Sequence, residues 1–129
     1  MKDNQLIFLI SQPRSGSTLT QKIIGSHDSI YTRSEPWLML HPLYSLKEDG
    51  IYTEYNFHLE RKAFNSFVEG LPNQRNTYIE YLRQMYLDLY SKYLTGGKQY
   101  FLDKTPRYYH IVNELLEVFP NANYILLIR

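Results

Sequence analysis

Apolar positions fall into two periods along this chain. Leu6-Ile7-Phe8-Leu9-Ile10 is a continuous apolar run that ends at Ser11 in a Pro/Gly/Ser loop, which predicts a buried strand over 6–11. A helical period starts at once and predicts a helix over 17–26, with Leu19, Ile23 and Ile24 on one side. Ile30 to Thr32 predicts a short second strand. Pro36 suits the first turn of a helix through Trp37, Leu38 and Leu40, with Pro42 ending or kinking it. Residues 45–57 show no period and read as loop. Residues 58–70 read as a helix with Leu59, Phe64, Phe67 and Val68 inward, broken by Pro72-Asn73.

The clearest helical pattern follows. Thr77 and Glu80 have capping-box spacing. Tyr78, Leu82, Met85, Tyr86, Leu89 and Tyr93 recur at helical intervals, and Gly96-Gly97 ends the pattern. Tyr100-Phe101-Leu102 predicts a strand. Thr105 is placed to cap a helix with Pro106 at its first position. Ile111, Val112, Leu115, Leu116 and Phe119 form that helix's inward stripe, and Pro120 stops it. Tyr124 to Ile128 reads as a fully buried parallel strand.

Strand–helix alternation of this kind defines an α/β fold, a P-loop-like, mainly parallel sheet flanked by helices. A central strand needs neighbours and covering helices. The chain therefore reads as truncated after the strand ending at Arg129, with residues 1–129 the N-terminal part of a single larger domain. A compact small protein that ends on a strand is the alternative.

Composition narrows the partners. Lys and Arg number 14 against 13 Asp and Glu, which argues against a general polyanion surface and against nucleic acid. Any anion affinity must be local. The chain has no Cys, so neither a disulfide framework nor a thiolate zinc site is available. The four His residues have no metal-ligand spacing, and no metal is expected. The apolar run at 6–10 is too short for a signal-peptide core or a membrane span, which leaves a cytoplasmic protein with no membrane partner as the expectation.

The candidate chemistry sits where strands end. Pro13-Arg14-Ser15-Gly16-Ser17-Thr18 joins a strand to a helix N-terminus, whose first N–H groups lack partners within the helix and favour an anion. Gly16 permits a tight turn, and Arg14 adds a guanidinium fork suited to phosphate or sulfate oxygens. This is not a Walker A loop, since its first Gly and its Lys are absent. The same residues also fit a plain turn with Ser17 or Thr18 as N-cap and Arg14 as a solvated charge.

Asp103-Lys104-Thr105-Pro106-Arg107 repeats the architecture of a strand end, a cation and a helix start. It reads either as a second anion contact at the carboxyl edge of the sheet or as polar loop residues beside an ordinary cap. Glu35 precedes Pro36 at the third carboxyl edge. It reads as a general base or as a carboxylate answering a helix dipole. Arg129 stands where a nucleotide-hydrolysing P-loop protein carries a magnesium-binding Asp.

Together, and in this order, these segments resemble the N-terminal half of a PAPS-dependent sulfotransferase. PAPS is 3′-phosphoadenosine 5′-phosphosulfate. Pro13 to Leu19 resembles the 5′-phosphosulfate loop. Glu35 resembles the catalytic base of the tyrosylprotein-type group. Asp103-Lys104-Thr105-Pro106 resembles the Lys segment at the sulfuryl centre, and Phe119 to Arg129 the strand entering the 3′-phosphate site. Arg14 in place of Lys, and Glu in place of a His base, make the chain more similar to the tyrosylprotein-type and bacterial branch than to the cytosolic small-molecule enzymes.

The resemblance implies sulfuryl transfer from PAPS to a small-molecule, glycan or peptide acceptor, at a hydroxyl or amine. In that scheme Glu35 is the general base, and Arg14 and Lys104 stabilise the transferring group. Pro13, Arg14, Ser15, Gly16, Ser17, Thr18, Lys104 and Arg129 hold the donor. A P-loop kinase and a non-catalytic nucleotide- or anion-binding fragment are the rival readings.

Overall fold

Four parallel strands in the order β2-β3-β1-β4 form the backbone of the molecule: β1 Leu6–Ser11, β2 Ile30–Thr32, β3 Tyr100–Lys104 and β4 Asn123–Leu127. The computed structural model describes residues 1–33 and 35–128. Arg129, expected at the 3′-phosphate of the donor, lies outside the described residues. Among the described residues five helices accompany the strands: α1 Ser17–Gly25, α2 Leu40–Tyr44, α3 Phe57–Glu69, α4 Arg75–Ser91 and α5 Val112–Val118. A 3-10 turn at Pro106–Ile111 leads into α5. The expected α/β architecture with a parallel sheet is present. Among the described residues no helix is long and apolar enough to cross a membrane.

Alternation along β1 and β3 divides the interior between the two faces of the sheet. Leu6, Phe8, Ile10 and Phe101 face the larger core, built with Tyr86, Tyr90, Tyr108, Ile111, Leu115 and Phe119. Phe8 is its centre, packed against the rings of Tyr108, Phe119 and Tyr124 at centroid distances of 6.0, 5.6 and 5.5 Å. Ile7, Leu9 and Leu102 face the other side with Ile24 of α1. The run at 6–11 is buried throughout because β1 is central and flanked on both sides.

Several inward faces differ from the expected ones. On α1 the buried residues are Ser17 and Gln21, while Leu19 and Ile23 are exposed. Gln21 takes the inward place by hydrogen bonding: its Nε2 donates to Thr32 Oγ1 at 2.8 Å and to the Arg33 carbonyl at 2.7 Å. On α3 the buried residues are Arg61 and Val68, and Leu59 and Phe67 face outward. The Arg61 guanidinium reaches the carbonyls of Ser45 and Leu46 and the Glu48 carboxylate, tying α3 to the end of α2. On α4 the stripe is Ile79, Leu82, Tyr86, Leu87 and Tyr90, with Met85 and Leu89 exposed, and Tyr93, just past the helix end, exposed as well.

Boundaries shift as well. Pro36 starts no helix. The α2 helix begins at Leu40, so Pro42 lies within it, where the first-turn N–H groups have no helical partner to lose. Thr77 is inside α4 rather than at its cap, and its hydroxyl donates to the Pro72 carbonyl. The α4 helix ends at Ser91, before Gly96-Gly97, which bend the following turn with φ of 60° and 85°. On α5 Val118 is buried and Leu116 exposed. β4 pairs with β1 alone among the described strands, so Leu126 and Ile128 are exposed rather than buried.

Candidate active site

Three chain segments meet the carboxyl edge of the sheet. β1 runs out at Ser11 into the loop that carries Pro13 and Arg14. The α1 helix follows, with Gly16 as its N-cap at φ 86° and no side-chain cap. A left-handed φ suits Gly, and a Cβ here would meet nothing within 4 Å, so the backbone conformation is what selects Gly16. Arg14 is also left-handed, at φ 64°, an uncommon and strained state for a residue with a Cβ. Neither Ser17 nor Thr18 caps the helix, contrary to the plain-turn alternative. The N-cap of α1 thus offers its first N–H groups no side-chain acceptor. Ser11 Oγ and Ser15 Oγ, both buried, find no hydrogen-bond partner among the described residues.

Lys104 ends β3, the strand next to β1, in register with Leu9. Period-2 alternation places it with Leu102 on the α1 side of the sheet. Its side chain is only 4% exposed, an unusual position for an ammonium. Nζ donates to Glu35 Oε1 at 2.5 Å. Glu35 lies three residues beyond β2, which pairs with β3 up to Thr32 opposite Leu102. The Glu35 carboxylate is about one-third exposed, so one partner of this ion pair is buried and the other open to solvent.

Asp103, Lys104's neighbour, points to the opposite face and is fully buried. It accepts hydrogen bonds from Tyr90 OH at 2.5 Å, Tyr108 OH at 2.9 Å and Thr105 Oγ1 at 3.1 Å. Burial dominates its titration and pushes the carboxyl up to about 6, and the three hydroxyls oppose that rise. Burial beside the carboxylate also raises Tyr90 and Tyr108 well above the ordinary phenol range. Thr105 gives its hydroxyl to Asp103 and not to a helix cap, while Pro106 does take the first position of the 3-10 turn.

The Asp103 cluster lay outside the expected site, which stopped at Lys104. Its signal was available in the alternation of β3: Asp103 is in phase with Phe101 and must share its core face. Because the folded state holds the Asp103 proton more tightly than the unfolded chain, this group's stabilisation is complete below about pH 4 and is lost as pH rises through about 6. Asp103→Asn is expected to remove that dependence. Denaturation from pH 4 to pH 7 should move the stability difference in favour of the variant by on the order of 3 kcal/mol.

A cleft of about 600 Å³ opens beside Glu35, lined among others by Arg33, Leu38, Tyr90, Tyr93 and Phe101. Arg33 lies over the Tyr93 ring, 5.1 Å from its centroid, and its Nη1 donates to the Tyr93 hydroxyl at 2.5 Å.

This chain belongs to the sulfotransferase family, whose model matches residues 6–129. The nodulation protein NoeE of Sinorhizobium fredii is 33% identical over 128 residues, covering 96% of this chain and 28% of NoeE. An uncharacterized protein of Aquifex aeolicus is 31% identical over 123 residues, 95% of this chain and 15% of that protein. The chain spans less than a third of either relative's length.

Proposed function

We propose that this chain supplies the sulfuryl-donor loop and the acid–base pair of an enzyme that transfers a sulfuryl group from PAPS to an acceptor hydroxyl or amine. The Lys104–Glu35 contact carries the reading. It pairs a buried ammonium with a partly exposed carboxylate on the edge that also bears the uncapped N-terminus of α1. Membership of the sulfotransferase family supports the reaction class.

The residues present suit an anionic donor. The α1 N-cap is Gly16 with no side-chain cap, the Ser15 hydroxyl is buried without a partner among the described residues, and Arg14 stands on the same loop. When bound, PAPS supplies the sulfuryl group and leaves as adenosine 3′,5′-bisphosphate. The N–H groups from Gly16 to Thr18, with Arg14, hold the 5′-phosphate oxygens. Pro13 limits the loop's freedom, and Arg129 meets the 3′-phosphate. Lys104 has Glu35 as its hydrogen-bond partner among the described residues, which leaves donors for sulfuryl oxygens.

Glu35 takes the proton from the acceptor's hydroxyl or amine. Glu35 also lines the cleft with Arg33, Leu38 and Tyr93, and this cleft is the proposed way in for the acceptor. Release of that proton to Glu35 leaves the acceptor atom free to bond to sulfur while the phosphate oxygen departs. No covalent bond to the protein is needed.

Arg14→Ala tests the donor loop. In the full-length protein it is expected to weaken adenosine 3′,5′-bisphosphate binding by roughly tenfold or more, the loss of one charge-assisted contact. Titration calorimetry with an unchanged dissociation constant would remove Arg14 from the donor site.

A further inference from the structure

Glu35 is carried by a constrained piece of backbone. Pro36 follows it, and Trp37 then takes φ 55°. A left-handed conformation is strained for so bulky a residue and persists only where the surroundings hold it. Two hydroxyls supply the hold. The Trp37 N–H donates to Thr105 Oγ1 at 3.3 Å, and the Met39 N–H donates to Tyr108 OH at 3.1 Å.

Neither hydroxyl is free to rotate away. Thr105 donates to Asp103 Oδ1, and Tyr108 donates to Asp103 Oδ2, where Tyr90 donates as well. A carboxylate only accepts, so it draws both hydroxyl protons toward itself. The oxygen lone pairs then remain for the N–H groups of Trp37 and Met39. Asp103, Thr105, Tyr108 and Tyr90 are all buried, so water does not compete for these bonds. One strand end therefore acts on Glu35 from two directions. Lys104 meets its carboxylate on one face of the sheet, and Asp103 fixes its backbone from the other.

We infer that Asp103, acting through Thr105 and Tyr108, is a positioning residue that clamps the strained Trp37 turn and thereby sets the Glu35 carboxylate against Lys104. The inference rests on Glu35 being the proton acceptor. Asp103, Thr105 and Tyr108 act through that group and not on the reacting atoms.

Thr105→Val keeps the side chain's shape and removes its hydroxyl, whereas Thr105→Ser keeps the hydroxyl. Trp37 is the one tryptophan of these 129 residues, and the difference between the emission of each protein and that of its Trp37→Phe counterpart reports on the clamped turn. Thr105→Val is expected to shift the Trp37 emission, lower its anisotropy and reduce kcat roughly tenfold or more, as misplacement of a reacting group does. Adenosine 3′,5′-bisphosphate affinity should stay at the wild-type value, and Thr105→Ser should restore both kcat and emission. Tyr108→Phe cuts the second arm and should give the same split, which keeps the test decisive if Thr105→Val fails to fold. Unchanged Trp37 emission in Thr105→Val overturns the clamp. So does wild-type kcat in Thr105→Val when Glu35→Gln is inactive. If Glu35→Gln itself retains the wild-type rate, the reading of Glu35 as base falls, and the Trp37 emission alone decides whether the turn is clamped.

Discussion

Replacing Glu35 with Gln in the full-length protein is expected to reduce sulfuryl transfer by roughly 10²–10⁴-fold, the range typical of losing a positioned general base. Gln keeps the shape of the side chain and an oxygen for Lys104 Nζ, so the contact between them can survive as a hydrogen bond from the ammonium to a neutral amide oxygen. What disappears is the capacity to accept the acceptor's proton. The proposal gives donor binding to the α1 N-terminus and Arg14, so adenosine 3′,5′-bisphosphate should bind as tightly as before. The informative pattern is therefore a collapse of kcat with an unchanged bisphosphate dissociation constant. Retention of most of the rate would show that another group, or solvent, takes the proton.

Lys104→Met is the second large effect. Met fills a similar volume in a site where the Lys104 side chain is almost wholly buried, so the fold has little reason to collapse. The ammonium is lost, and with it a donor aimed at charge that develops on the transferring group. Loss of one such donor is expected to lower kcat by about 10²–10³-fold. Adenosine 3′,5′-bisphosphate lacks the sulfuryl group, so its affinity should fall far less than the rate. Equal losses in the two measurements would make Lys104 a phosphate-binding residue with no special role at the sulfuryl centre.

The frame of the fold was legible from apolar runs and turn residues. The four strands, their parallel pairing and the helices between them followed from period and punctuation. Which side of each helix faces inward was much less legible. A helix period shows where apolar residues repeat, but hydrogen bonding to a neighbour can reverse the choice. Gln21 turns inward for Thr32 and Arg33, so Leu19 and Ile23 are left outside. Arg61 turns inward for carbonyls at the end of α2, and Leu59 and Phe67 face solvent.

The segment from Pro36 to Met39 departs from its local signal for a related reason. Pro at a helix start is a sound local signal. Here the backbone is instead left-handed at Trp37 and tied at Trp37 and Met39 to two hydroxyls nearly seventy residues away in sequence. Such long-range partners leave no trace in local spacing. The site was legible in a different way. Glu35 and Lys104 each read weakly alone, and their direct contact comes from strand register, Thr32 beside Leu102 in β2 and β3. Asp103 reads locally as a polar loop residue, and only its alternation with Phe101 along β3 signals its burial.

The most direct test of the donor site is a thermal-shift comparison of the full-length protein in buffer, in adenosine 3′,5′-bisphosphate, and in ATP with magnesium. A ligand that binds only the folded state stabilises it in proportion to the logarithm of one plus its concentration over its dissociation constant. Adenosine 3′,5′-bisphosphate is expected to raise the midpoint progressively with its concentration, with ATP and magnesium leaving it near the buffer value. A rise with ATP and magnesium, and none with the bisphosphate, would contradict the sulfuryl-donor site and favour a nucleoside-triphosphate enzyme in its place.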